Sequence, residues 1–260
     1  MITPFFQAFI NALGFLTRLP LPTRWFSLKI SISETAWAFP IIGAFIGFCA
    51  SFVFLLGYAL NLGILISALL SVITTIIITG ALHEDGLGDV CDGFFSKNNS
   101  EDRLTVMKDS QIGTYAALAL IISVTFRIFI IIRLAEFNIY VACYSLIALE
   151  AISRGFMVWF WGALPLARQG GTADKAGQLH KKNRYITLLI SFIISFVFIF
   201  FPLTLLSFLY MCFIGLIVNF AFSKLCLKKI NGYTGDTLGA CQQLSWAASA
   251  IGILIGIHFL

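Results

Sequence analysis

Apolar positions along this chain neither alternate with polar ones nor recur at amphipathic-helix spacing; they run on in long blocks. Seven blocks, at 36–60, 63–80, 113–133, 138–163, 185–201, 203–223 and 244–260, come close to the roughly 20 residues that cross a bilayer. In lipid each backbone polar group needs an internal partner, so continuous apolar runs predict helices, and their lack of alternation argues against a barrel. A shorter apolar segment, 5–17, reads as an embedded or interfacial helix ended by Pro20 and Pro22. Polar stretches at 18–35, 81–112, 164–184 and 224–243 alternate with brief connections near residues 61 and 136 and at Pro202. That alternation places every polar stretch on one side. The expected fold is all-α: a polytopic integral membrane helix bundle of about seven transmembrane helices plus the short N-terminal helix. No soluble linker divides it, so 1–260 is one membrane-embedded domain.

Composition strengthens this picture. The chain is 59% hydrophobic and 11% charged, where soluble domains average about 25% charged. Its mean hydropathy is +0.95. Of its 17 Lys and Arg residues, 14 fall in the polar stretches, which the positive-inside rule makes cytoplasmic. Topology and lipid headgroups account for the net charge of +5 without nucleic acid. The six cysteines show no C-x-x-C spacing and read as reduced thiols. The start has no basic segment and no small-residue cleavage site, so it is not read as a signal peptide.

The acids are distributed differently. Seven of the 12 Asp and Glu residues lie between 84 and 109. In "GALHEDGLGDVCDG", residues 80–93, Asp85, Asp89 and Asp92 are spaced i, i+4, i+7 and share one face of a helix. At ~6 Å and an effective dielectric of ~20, each neighbouring pair of carboxylates costs about 3 kcal/mol before screening. A divalent cation relieves that repulsion, and all-oxygen ligands suit Mg²⁺ or Mn²⁺ beside a phosphorylated substrate. The alternative is a solvated acidic connection. His83 has three open readings: metal ligand, phosphate contact or cap. Glu84 falls off the aspartate face.

"RLTVMKDSQIGTYAAL", 103–118, brings Arg103, Lys108, Asp109 and Ser110 to the start of a membrane helix. This pattern serves phosphate binding or ordinary flanking with an N-cap from Asp109 or Ser110. "NGYTGDTLGA", 231–240, reads as a second turn on the same side, carrying Asp236. Arg127, Glu150 and Arg154 lie within spans and should face the bundle interior. Arg127 with Glu150 reads as a structural pair, and Arg154 lies within reach of a phosphate.

These three segments, in this order and at about this spacing, resemble the cobalamin synthases, also called adenosylcobinamide-GDP ribazoletransferases. "ALGFLTRLPLP" is similar to that family's start, so the resemblance covers essentially the whole chain. His83, Asp85, Gly86, Leu87, Asp89, Asp92 and Gly93 match the family's H-x-D-G-L-x-D-x-x-D-G. The chain departs where "CQQLSWAAS" lacks the acidic residues common soon after T-G-D-x-L-G-A, which puts any additional carboxylate ligand from the last helix in doubt. Gly88 stands where alanine is usual, and Glu84 where an apolar residue is common.

The resemblance implies an enzyme that joins α-ribazole, or its 5′-phosphate, to adenosylcobinamide-GDP and releases GMP. It implies a Mg²⁺ requirement, with Mn²⁺ as an alternative, and a multi-pass location in the bacterial inner membrane with active-site loops facing the cytoplasm. In that reading Asp85, Asp89 and Asp92 hold metal. Asp236 and Asp109 supply a second metal position or the general base, with His83 a further catalytic candidate. Arg103, Lys108 and Arg154 contact phosphate. Asp236 should then lie close to the Asp85–Asp89–Asp92 face. A homo-oligomer is compatible with the sequence and not required by it. The D-x-x-D-G…G-x-x-x-D-x-x-x-D spacing of CDP-alcohol phosphotransferases is absent. The acids crowd one face, whereas a transporter gathers them near the midplane.

Overall fold

A backbone surrounded by lipid must satisfy its own hydrogen bonds, and this one does so with helices over most of residues 3–259, which the computed structural model describes. In chain order they are α1 (Pro4–Leu16), α2 (Ile32–Thr35), α3 (Phe39–Ala59), α4 (Gly63–Thr79), α5 (Leu82–Ser96), α6 (Ser100–Val106), α7 (Thr114–Phe137), α8 (Ile139–Ala163), α9 (Thr172–Ala176), α10 (Lys181–Phe200), α11 (Leu205–Ile230) and α12 (Gly235–His258). Six of these helices are long and apolar enough to cross a membrane, and α4 bent against α5 makes a seventh if the pair is counted as one span. The all-α membrane bundle expected from the hydropathy blocks is the fold observed.

α8 is the central element: 94% of its apolar window is buried, against 22% for α7 and α10, which present their side chains outward. α3, α10 and α12 pack around α8, and α11 packs along α12. Exposed Phe48, Ile121, Ile122, Leu189, Phe213 and Phe220 form the outer apolar surface expected of helices that face lipid. Inside, one apolar cluster gathers Leu16, Phe39, Met157 and Trp161. A second gathers Phe54, Leu146, Leu149 and Ile253.

Several boundaries differ from the sequence reading. α1 stops at Leu16, before either proline, because Thr17 turns extended and donates its N–H and hydroxyl to Leu13 O. The stretch 81–112 is largely helical, and α5 leaves α4 at 88°. Two consecutive residues in the left-handed region make that corner, Gly80 (φ 63°) and Ala81 (φ 57°). Glycine takes this conformation freely, whereas alanine there costs roughly 1–2 kcal/mol. The Ala81 N–H bonded to Ile76 O at 3.0 Å helps hold the corner. α11 runs on to Ile230 and α12 begins at Gly235, so "NGYTGDTLGA" is a short turn followed by the first turns of a helix. All six cysteines are free.

Candidate functional site

The 88° corner lays α5 across the start of α12. The two helices touch at Gly86, where an added Cβ would fall 2.6 Å from Asp236 O and 3.1 Å from Asp236 Cα. Only a residue without a side chain permits that approach. The two acidic segments, some 150 residues apart in sequence, therefore meet, as expected of ligands gathered around one diphosphate.

Asp85, on the exposed side of α5, and half-buried Asp89 one turn later have no hydrogen-bond or ion-pair partner among the described residues. Asp85 and Asp236 line the same cleft, together with His83. Asp236 is held in place: Arg168 Nη2 donates to its Oδ2 at 3.1 Å, and Thr234 Oγ1 donates to the same oxygen at 3.2 Å. Thr234 also caps α12 through a capping box with Thr237.

In the sequence Arg168 is one of the 14 basic residues of the polar stretches and carries no other mark. It reaches the site because residues 165–167 pair with Tyr233: Tyr233 N donates to Pro165 O and Ala167 N to Tyr233 O, both at 2.9 Å. Its Nη1 is anchored on Leu104 O at 2.8 Å. The signal available in sequence was the glycine pair Gly170–Gly171, which marks a turn close after the arginine.

Other expected site residues take different places. Asp92, two turns along the same face, lies outside the cleft lining and accepts from Gly113 N at 2.7 Å and Ala116 N at 3.0 Å. Both of its oxygens thus cap α7, the task expected of Asp109 or Ser110. Asp109 is exposed, accepts from Gln111 N and lines a separate surface hollow with Asp92 and Gly113. Arg103 was expected at a phosphate, but it is buried and donates to Lys97 O and Lys229 O, both at 3.0 Å, tying α6 to the end of α11. Lys108 is exposed in the connection before α7.

Arg154 is corrected in the same way. It is fully buried and donates to the carboxylate and carbonyl of Glu150. Arg127 bonds both Glu150 and Glu84 at 2.9 Å, so the structural pairing expected of Arg127 is present and extends to Arg154. Gln243 Nε2 donates to Glu84 Oε1 at 3.0 Å. Two departures from the family pattern thus touch one another: the glutamine segment of α12 and the acidic residue after His83. His83 is buried among these groups, and its Nε2 has no hydrogen-bond partner.

The remaining wall of the cleft is apolar and aromatic. Trp161 is fixed by donation from its Nε1 to Tyr233 Oη at 3.0 Å. Burial raises the Tyr233 phenol above its ordinary pKa, and the Trp161 donation partly opposes that. The phenol therefore stays protonated at neutral pH.

Among the described residues no group of three or more His, Cys, Asp or Glu side chains is placed to hold a metal ion. The donor set fits an ion that takes fewer ligands from the protein. Mg²⁺ is commonly held by one or two carboxylates, with substrate phosphate and water completing its shell. Asp85 and Asp89, unpartnered on one helix face, are two such carboxylates.

A family model described as cobalamin-5-phosphate synthase matches residues 8–254. A protein of Brucella anthropi named adenosylcobinamide-GDP ribazoletransferase is 41% identical over 254 residues, covering 95% of this chain and 96% of that protein. Relatives with the same name from Brucella ovis and Brucella abortus are 40% identical over 259 residues, with the same coverage. No solved structure matches.

Proposed function

The chain belongs to the cobalamin-5-phosphate synthase family, and from that premise we propose that the cleft lined by Asp85 and Asp236, with Asp89 one turn further along α5, joins α-ribazole, or its 5′-phosphate, to adenosylcobinamide-GDP. A ribazole hydroxyl oxygen attacks the phosphorus bonded to cobinamide. A new P–O bond forms, the bond to the bridging oxygen breaks, and GMP leaves with that oxygen. The observation that carries this reading is the meeting of two unpartnered carboxylates with a third that is anchored from behind by Arg168.

Asp85 and Asp89 would hold Mg²⁺, or Mn²⁺ in its place, which supplies charge neutralisation for the diphosphate when bound. Arg168 adds a fixed positive charge at the same place, and such preorganised charge favours a transition state that spreads negative charge over phosphoryl oxygens. Arg168 and Thr234 both engage Oδ2 of Asp236. Oδ1 of Asp236 is then the atom assigned to take the hydroxyl proton. The enzyme sits in the bacterial inner membrane with 81–112, 164–184 and 224–243 facing the cytoplasm, where nucleotides are available.

Incubation of purified protein with both substrates and Mg²⁺ tests the reading. The expected result is one GMP released per cobalamin formed, and none when either substrate is omitted. GMP release without ribazole would identify a hydrolase instead.

A further inference from the structure

The cleft that ends at Asp85 and Asp236 has an apolar interior of about 150 Å³, and the chemistry assigned to the carboxylates does not use it. Phe15, Phe39, Leu82, Met157, Trp161 and Leu238 line it. Phe15 stacks on Phe39 at 6.0 Å, and Phe39 lies 6.4 Å from Trp161, so three rings make a continuous aromatic wall. Trp161 has already spent its N–H on Tyr233 and offers the cleft no donor. Ala173 and Ala176 of α9 close the opposite boundary with minimal side chains.

Resting on the proposed reaction, we infer that this cleft is the binding site for the base of the ribazole, a flat methylated benzimidazole, and that its walls select the base. Three rigid groups enter with the two substrates. The corrin macrocycle is many times larger than the cleft. Guanine carries several donors and acceptors on its edges; away from the two carboxylates only His83 and Thr172 offer polar side chains in the cleft, so most of those edge groups would go unpaired at about 1–3 kcal/mol each. The benzimidazole is apolar and planar and suits an aromatic wall. An enclosed apolar cavity of ~150 Å³ accepts a benzene-sized ring; this cleft is open on one side, so a bicyclic base fits with its ribosyl edge at the mouth. The ribose then emerges beside Asp85 and Asp236, where its hydroxyl is needed.

The test uses two wall substitutions of opposite sign and a series of α-ribosides whose bases differ in size. Ala173→Leu shrinks the cleft. It should shift the kcat/KM preference about tenfold toward unmethylated benzimidazole riboside, since one or two methyl groups in an apolar pocket are worth roughly that factor or more. The KM for adenosylcobinamide-GDP should stay within twofold. Met157→Ala enlarges the cleft and should shift the preference toward a bulkier tricyclic base. Equilibrium binding of α-ribazole alone to the detergent-solubilised protein provides a readout independent of turnover, weakened about tenfold in Ala173→Leu. If wild type binds α-ribazole but releases no GMP, the proposed reaction falls while the binding result still decides the cleft. Unchanged preference and binding in both variants would overturn the assignment. So would equal losses for every base, or displacement of a lipid acyl chain in place of α-ribazole, either of which gives the cleft another occupant.

Discussion

Three aspartates on one helical face have two different jobs. Asp85 and Asp89 have no donor among the described residues, whereas Asp92 satisfies two backbone amides at the start of α7. Hydrogen bonds to a charged acceptor contribute ~1.5–3 kcal/mol each. Asp92→Ala should therefore destabilise the protein by about 3–6 kcal/mol, read as a lowered Tm in detergent. Asp85→Asn should leave the metal-free Tm unchanged or slightly raised, because no donor is lost and repulsion with neighbouring acids is relieved. An equal fall in both variants would mean that Asp85 is structural too. The spacing i, i+4, i+7 put all three on one face, but it could not show that α7 starts beside Asp92. That depends on the corner at Gly80 and Ala81.

At the scale of elements, the site exists because α5 and α12 touch. Gly86→Ala places a methyl 2.6 Å from the backbone oxygen of Asp236. It should separate the two helices and lower GMP release by at least tenfold with membrane insertion intact. Gly88→Ala is the control: its Cβ would first meet the Ala116 methyl at 3.4 Å, an ordinary contact, and activity should stay within twofold. Equal activities in the two variants would remove helix contact as the reason for the glycine. The membrane spans were legible in the hydropathy blocks to within several residues at most ends, because lipid imposes length and apolarity directly. α5 was legible only as a helical spacing of three aspartates: its carboxylates and glycines interrupt the apolar run, and its bounds follow from packing against α7 and α12. Asp236 stood out in the sequence as a candidate only through the family resemblance, and Arg168 did not stand out at all. The latter is positioned by a backbone pairing between residues 165–167 and Tyr233 that leaves no periodic trace.

Across the whole molecule, Glu84, Arg127, Glu150 and Arg154 join α5, α7 and α8 beneath the cleft. Removing one member strands buried opposite charges, typically at about 3–5 kcal/mol. Arg127→Leu should therefore unfold at a markedly lower temperature in detergent; a Tm within a degree of wild type would show that the ladder holds nothing together. The alternation of long and brief connections puts residues 97 and 175 on the same side as the carboxylates. Single cysteines there, on a cysteine-free background, should react with impermeant reagent only after cells are opened. Labelling of intact cells would reverse the topology. The central claim is that the Asp85–Asp89 face and Asp236 form one phosphoryl-transfer centre. The measurement that bears on it most directly is GMP release from adenosylcobinamide-GDP and α-ribazole across a Mg²⁺ titration, for wild type and Asp89→Asn. Wild type should saturate with Mg²⁺, and the variant should fall at least a hundredfold and need far more metal. Equal turnover and equal Mg²⁺ dependence in the two proteins would contradict it.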